Sequence, residues 1–192
     1  MSKRVFIVHG WEGFPEECWF PWLKKKLEEK GIEAIVPAMP DPGAPKIETW
    51  VAQLEDAVAA PDEETYFVGH SIGVQTILRY LESINARVGG LVAVAGFFTL
   101  TDDAFDDEED IKTAKPWLVT PIDFEKVKAN CPAITAIFSD NDPFVPLENQ
   151  ALFERELGAR TITVSGKGHI GGNDNIFEFE PIFDELMAIV NK

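Results

Sequence analysis

The chain has 192 residues, 17 basic against 33 acidic side chains for a formal net charge of −16, 45% hydrophobic residues and two cysteines. A chain of that length buries roughly 70% of its unfolded surface in one core, so residues 1–192 are expected to form a single soluble domain that folds without disulfides or metals. Fourteen Phe and five Trp exclude a disordered chain, and the acidic balance argues against nucleic acids and anionic membranes, which call for a basic surface.

Along the chain, short apolar runs alternate with stretches of helical period, the pattern of βα units built around a mostly parallel sheet with helices on both faces. Residues 5–8 read as the first strand; this run is too short for a signal-peptide core or a membrane span, so the expected location is the cytoplasm. The loop His9-Gly10-Trp11-Glu12-Gly13 follows. A second strand at 33–36 leads through a Pro- and Gly-punctuated loop, 37–45, into a helix whose apolar face is Ile47, Trp50, Val51, Leu54 and Val58. The third strand, 65–68, runs into Gly69-His70-Ser71-Ile72-Gly73 and a helical stretch at 74–81. The fourth strand is placed at 88–95.

Residues 96–132 then break the rhythm, being longer than an ordinary βα connection. This segment reads as a lid or rim, and its acidic run, 102–110, as a solvated, mobile loop that lacks the Gly and ligand spacing of a calcium loop. Phe97, Phe98 and Trp117 stand either as walls of an acyl pocket or as core. Strands at 134–138 and 161–164 follow, and Ile182, Phe183, Leu186, Ile189 and Val190 mark the last helix. Cys18 and Cys131 have no CxxC or Cys/His ligand spacing and read as buried reduced thiols.

Gly69-His70-Ser71-Ile72-Gly73 is G-x-S-x-G between a strand and a helix, the context in which it forms a nucleophile elbow: the turn is too sharp for neighbouring Cβ atoms and lifts the Ser hydroxyl clear of the sheet. A Ser hydroxyl needs a base and an orienting acid. Of the three histidines, His70 lies inside the turn and should point away from Ser71, and His9 ends the first strand. That leaves His169, on the Gly-rich loop after the sixth strand, read as flexible. For the acid, Asp140 and Asp142 both follow the fifth strand, and spacing alone leaves both open. The oxyanion of an acyl transfer needs N–H donors; Ile72, at a helix start, and Trp11, in the loop after the first strand, are the candidates.

On Val8-His9-Gly10, Trp19-Phe20-Pro21-Trp22-Leu23, the Ser71 elbow, Asp142-Pro143-Phe144-Val145-Pro146 and Gly168-His169, the chain resembles the α/β-hydrolase superfamily. Within it, the likeness is to the small single-domain serine hydrolases grouped with retinoblastoma-binding protein nine and its bacterial relatives. The resemblance implies a minimal three-layer α/β-hydrolase fold, six strands in the order 2-1-3-4-5-6, and a triad of Ser71, Asp142 and His169. It favours Asp142 over Asp140, because the superfamily's D-x-x-V-P falls on Asp142, Val145 and Pro146. The implied activity is hydrolysis of a carboxylic ester or related acyl bond, without cofactor or metal, on a small-molecule substrate. Peptidase, amidase and thioesterase chemistry, or a binding role with little turnover, are the alternatives. The chain contains no Leu-x-Cys-x-Glu, so the pocket-protein binding in the animal name does not carry over.

Overall fold

The computed structural model of the protein describes residues 2–105 and 107–191; Asp106, inside the acidic run, lies outside them, as do Met1 and Lys192. Six strands form one sheet: β1 (Arg4–Val8), β2 (Glu33–Ile35), β3 (Thr65–His70), β4 (Gly90–Val94), β5 (Ile134–Ser139) and β6 (Arg160–Val164). Their order is β2-β1-β3-β4-β5-β6, the order expected, and all five pairings are parallel.

The strands are apolar throughout because both faces are covered. Val5 and Ile7 of β1 face one core, with Val68, Val92 and Ile137; there they meet α1 (Phe20–Glu28) and α7 (Glu180–Val190). Phe6 and Val8 face the other, with Phe67, Leu91 and Phe138, under α2 (Ile47–Val58), α3 (Ile72–Ser83), α4 (Glu108–Val119), α5 (Phe124–Asn130) and α6 (Glu148–Leu157). One helical layer is thus thin and the other thick. Trp50, Leu54 and Val58, and likewise Ile182, Leu186 and Ile189, are buried, as their helical spacing predicts.

The fourth strand is shorter than the 88–95 read from the sequence, the other strand ends differ by one or two residues, and two further differences bear on the site. β3 continues through Gly69 and His70, carrying the sheet directly to Ser71. Within 96–132 the structure holds two helices, and the end of the acidic run, read as a loop, is the start of the first: the Asp107 carboxylate accepts from the Glu109 N–H at 2.6 Å, and Glu108, Glu109 and Asp110 fill the first turn of α4. Acids are favoured there by the unpaired N–H groups and the helix dipole. The side chains at 107–109 remain exposed. Cys18 and Cys131 are free, buried thiols, and burial pushes both up to about 12.

Candidate active site

Ser71 caps α3 with φ 54° and ψ −122°, a strained conformation for any residue but glycine. Its hydroxyl makes no capping bond to the helix, so the turn withholds it from the role a Ser at that position ordinarily plays. Two glycines permit the turn. A Cβ on Gly69 would lie 2.9 Å from the Val74 backbone, and one on Gly73 would strike the carbonyl oxygens of Val8 and His9. The second contact seats the start of α3 directly against the end of β1.

That seating brings the two expected N–H donors to neighbouring elements. Ile72 is the first residue of α3 and has no intrahelical acceptor. Trp11 is oriented by His9, whose Nε2 accepts from the Met39 N–H at 3.1 Å and whose Nδ1–H therefore donates to the Gly10 carbonyl at 2.9 Å. The same carbonyl accepts from the Gly13 N–H at 3.1 Å. A trans peptide points its carbonyl and the following N–H in opposite directions, so the Trp11 N–H faces away from His9. Among the described residues, neither it nor the Ile72 N–H has an acceptor. Burial lowers the pKa of His9, and its two hydrogen bonds select this tautomer of the neutral ring.

His169 Nδ1 lies 2.8 Å from Asp142 Oδ2, with side-chain exposures of 17% and 2%. The other carboxylate oxygen, Oδ1, accepts from the backbone N–H groups of Phe144 and Val145 at 2.9 and 3.0 Å. The carboxylate is thereby oriented on both sides. Asp140 does something else: its Oδ1 accepts from the Gly166 N–H at 2.8 Å, which lowers its pKa with help from Ser165. Between the Ser71 hydroxyl and His169 no hydrogen bond is formed; such contacts commonly tighten only when substrate binds.

The His169 loop, read as flexible from its glycines, is hydrogen-bonded at nearly every residue. Ser139 Oγ, Asp140 and Asn141 Oδ1 accept from the N–H groups of Lys167, Gly166 and Gly168 at 3.0, 2.8 and 2.8 Å. From the opposite side, His70 Nε2–H donates to the His169 carbonyl at 2.8 Å and Trp19 Nε1–H to that of Ile170 at 2.9 Å. Burial, then the neighbouring His169, lowers His70 to about 3, so it stays neutral. These roles of His9, His70, Ser139 and Asn141 escaped the sequence reading because each depends on a backbone group distant in the chain. Only the Ser-Asp-Asn run before Asp142 hinted at them, as a cluster of turn acceptors.

The segment after β4 borders the site. Phe105 packs on Trp11 with ring centres 5.2 Å apart, and Thr101 bonds through its N–H to Phe144 and through its hydroxyl to Pro143, both at 2.9 Å. Phe144, 40% exposed, meets the His169 ring edge-on at 5.2 Å. Phe97 and Trp117 are core, with the Trp117 indole N–H donating to the Pro45 carbonyl at 3.0 Å. Trp117 also lines, with Phe98, Gln75, Ile122 and Phe124, a cavity of about 200 Å³. Among the described residues no three His, Cys, Asp or Glu side chains converge as metal ligands.

Comparison with known proteins bears on the chain's family and fold. A family model described as Serine hydrolase matches residues 5–188. YdeN of Bacillus subtilis is 29% identical over 204 residues, covering 100% of this chain and 98% of its own. Its crystal structure superposes with a TM-score of 0.90 over the full length of both chains. Serine hydrolase RBBP9 of Rattus norvegicus is 31% identical over 191 residues, covering 98% of this chain and 94% of its own. Est1E from Butyrivibrio proteoclasticus, 15% identical, shares the fold with a TM-score of 0.73 over 100% of this chain and 89% of its own. With its fold matched over the whole chain and its sequence over residues 5–188, this protein belongs to the serine hydrolase family.

Proposed function

We propose that the protein hydrolyses carboxylic esters by two-step acyl transfer. Ser71 Oγ attacks the ester carbonyl while His169 Nε2 removes its proton, and Asp142 holds the imidazole in the Nδ1–H tautomer and stabilises the imidazolium. The N–H groups of Ile72 and Trp11 receive the oxyanion. His169 then protonates the leaving alcohol, and water repeats the sequence on the acyl-enzyme. The observation that carries this reading is the buried Asp142 carboxylate at 2.8 Å from His169 Nδ1, on a loop tied to the residue preceding Ser71. Phe144 against His169 and Phe105 against Trp11 give the rim an apolar character, which favours an uncharged acyl group over a highly anionic one.

The test is a fluorophosphonate probe combined with p-nitrophenyl esters of rising chain length, aminoacyl anilides and an acyl thioester. Ser71 is expected to be labelled, esters to turn over fastest, and Ser71→Ala to lose about a thousandfold or more in kcat/KM while remaining folded. Ester turnover retained by Ser71→Ala would sink the nucleophile assignment. Anilides or the thioester cleaved faster than every ester would leave the serine in place and overturn the substrate class.

A further inference from the structure

An Asp–His pair is useful to a serine only if the imidazole stands at a fixed place relative to the hydroxyl, and these groups sit on different strands. The bonds from Ser139, Asp140 and Asn141 tie the 166–168 stretch to the end of β5. They set His169 against Asp142, but Ser71 follows β3, with β4 between. Among the described residues, a single hydrogen bond joins the elbow, 69–73, to the loop, 165–171: His70 Nε2–H to the His169 carbonyl. The donor is the residue preceding Ser71, and the acceptor is the peptide of His169 itself. One residue on, Trp19 Nε1–H holds the Ile170 carbonyl.

The pinned backbone is one that would not persist unaided. Ile170 has φ 56°, a region a β-branched residue rarely enters. The His70 ring is wedged in place on every side. Trp19 meets it edge-on with ring centres 6.1 Å apart, a Cβ on Gly10 would lie 3.1 Å from its Nδ1, and one on Gly171 would lie 3.4 Å from its Cε1. The ring therefore touches the loop that carries Trp11 as well as the loop that carries His169.

We propose that His70 and Trp19 are positioning residues whose ring N–H groups hold the His169 and Ile170 carbonyls, and so fix the His169 imidazole relative to Ser71. This rests on the acyl-transfer reading above. A merely structural role would satisfy two buried carbonyls and affect stability alone; a positioning role also affects turnover and the hydrogen bond between His169 and Asp142.

The experiment uses the full chain with His70→Leu, His70→Gln and Trp19→Phe. Gln is neutral and places an N–H at about the reach of Nε2; Phe keeps the Trp19 ring contacts and removes only the donor. The readouts are kcat and KM on a p-nitrophenyl ester, the rate of fluorophosphonate labelling, and water exchange of the His169 Nδ1–H proton, observed as a far-downfield resonance. His70→Leu is expected to lower kcat and labelling rate by about ten- to a hundredfold, with KM changed less than about twofold, since small misplacements of a catalytic group carry such costs. The Nδ1–H proton should exchange at least about tenfold faster, His70→Gln should return kcat to within about threefold of wild type, and Trp19→Phe should lose about three- to tenfold. Turnover and proton exchange unchanged in His70→Leu, or a Gln variant as impaired as Leu, overturns the proposal. If Leu does not fold, Trp19→Phe and Gln decide it by the same readouts, and wild-type values in Trp19→Phe remove Trp19. Wild-type protein that escapes the probe sinks the acyl-transfer reading instead, and the proton-exchange arm still decides whether His70 holds the loop.

Discussion

The two aspartates after β5 illustrate what two positions along a loop decide. The Asp142 side chain is buried with both oxygens engaged, one by His169 and one by backbone N–H groups, whereas Asp140 is exposed and holds a peptide. Asp142→Asn is therefore expected to lower kcat by several orders of magnitude, about 10⁴-fold by analogy with triads in general, and Asp140→Asn by less than about threefold, an effect of positioning only. The reverse ranking in steady-state kinetics would transfer the orienting role. His70 yields a prediction about pH. Its folded pKa, about 3, lies below the ordinary 6.5 because the ring is buried, with His169, Asp142 and His9 the titratable groups that act on it. Between those values the unfolded chain binds a proton that the folded chain refuses, so stability falls as pH drops from about 6.5 toward 3. His70→Gln removes this contribution. The difference in unfolding free energy between wild type and variant should change by up to about 1.4 kcal/mol per pH unit across that window, measured by urea titration, and stay flat above pH 7. At this scale the motif residues were legible from sequence because their chemistry is written into residue type and spacing. The choice between Asp140 and Asp142 came from resemblance alone, since both spacings reach the loop. His9 and His70 were set aside as bases by their place in the chain, one ending the first strand and the other inside the turn, and the groups they hold, the Met39 N–H and the His169 carbonyl, are brought near only by the folded chain.

At the scale of elements, the strands were readable because burial on both faces leaves continuous apolar runs. α4 was not. Its sequence opens with a block of acids and carries Pro116 in its interior, while only Ala114 and Trp117 are buried. That leaves too narrow an apolar stripe for periodicity to register. What the acids do follows from where they sit. Glu108, Glu109 and Asp110 begin a helix, and Phe105, three residues before its start, rests on Trp11. Exchanging Asp107 for Ala should weaken the start of α4 by about 0.5–2 kcal/mol, detected as faster amide exchange in the first turn of α4. Exchanging Glu108 and Glu109 for Gln, with Asp107 intact, should alter kcat on a small neutral ester less than about threefold, which is about 0.7 kcal/mol of barrier. A collapse of that rate in a folded variant would make this segment part of the catalytic machinery rather than its border.

Across the whole molecule, the strand order reverses at β1, and Ser71 stands at the carboxyl end of the adjacent β3, in the crevice where open α/β sheets place their ligands. The resemblance implied that order; alternation of apolar runs alone gave the number of strands but not their sequence across the sheet. The unequal helical layers add something the sequence did not suggest. Ser71 and Ile72 begin a helix of the thick layer, while Trp19, His70 and Ile170 belong to the thin one formed with α1 and α7. The two halves of the proposed chemistry are therefore anchored in separate cores, and a rise in temperature need not loosen them together. The smaller core is the one expected to yield first, releasing His169, the proposed base, while Ser71, the proposed nucleophile, keeps its place. Warming the protein should then abolish ester turnover several degrees below the point at which far-ultraviolet circular dichroism reports loss of the sheet, and cooling from that interval should restore it. Coincident midpoints would mean that both cores melt as one.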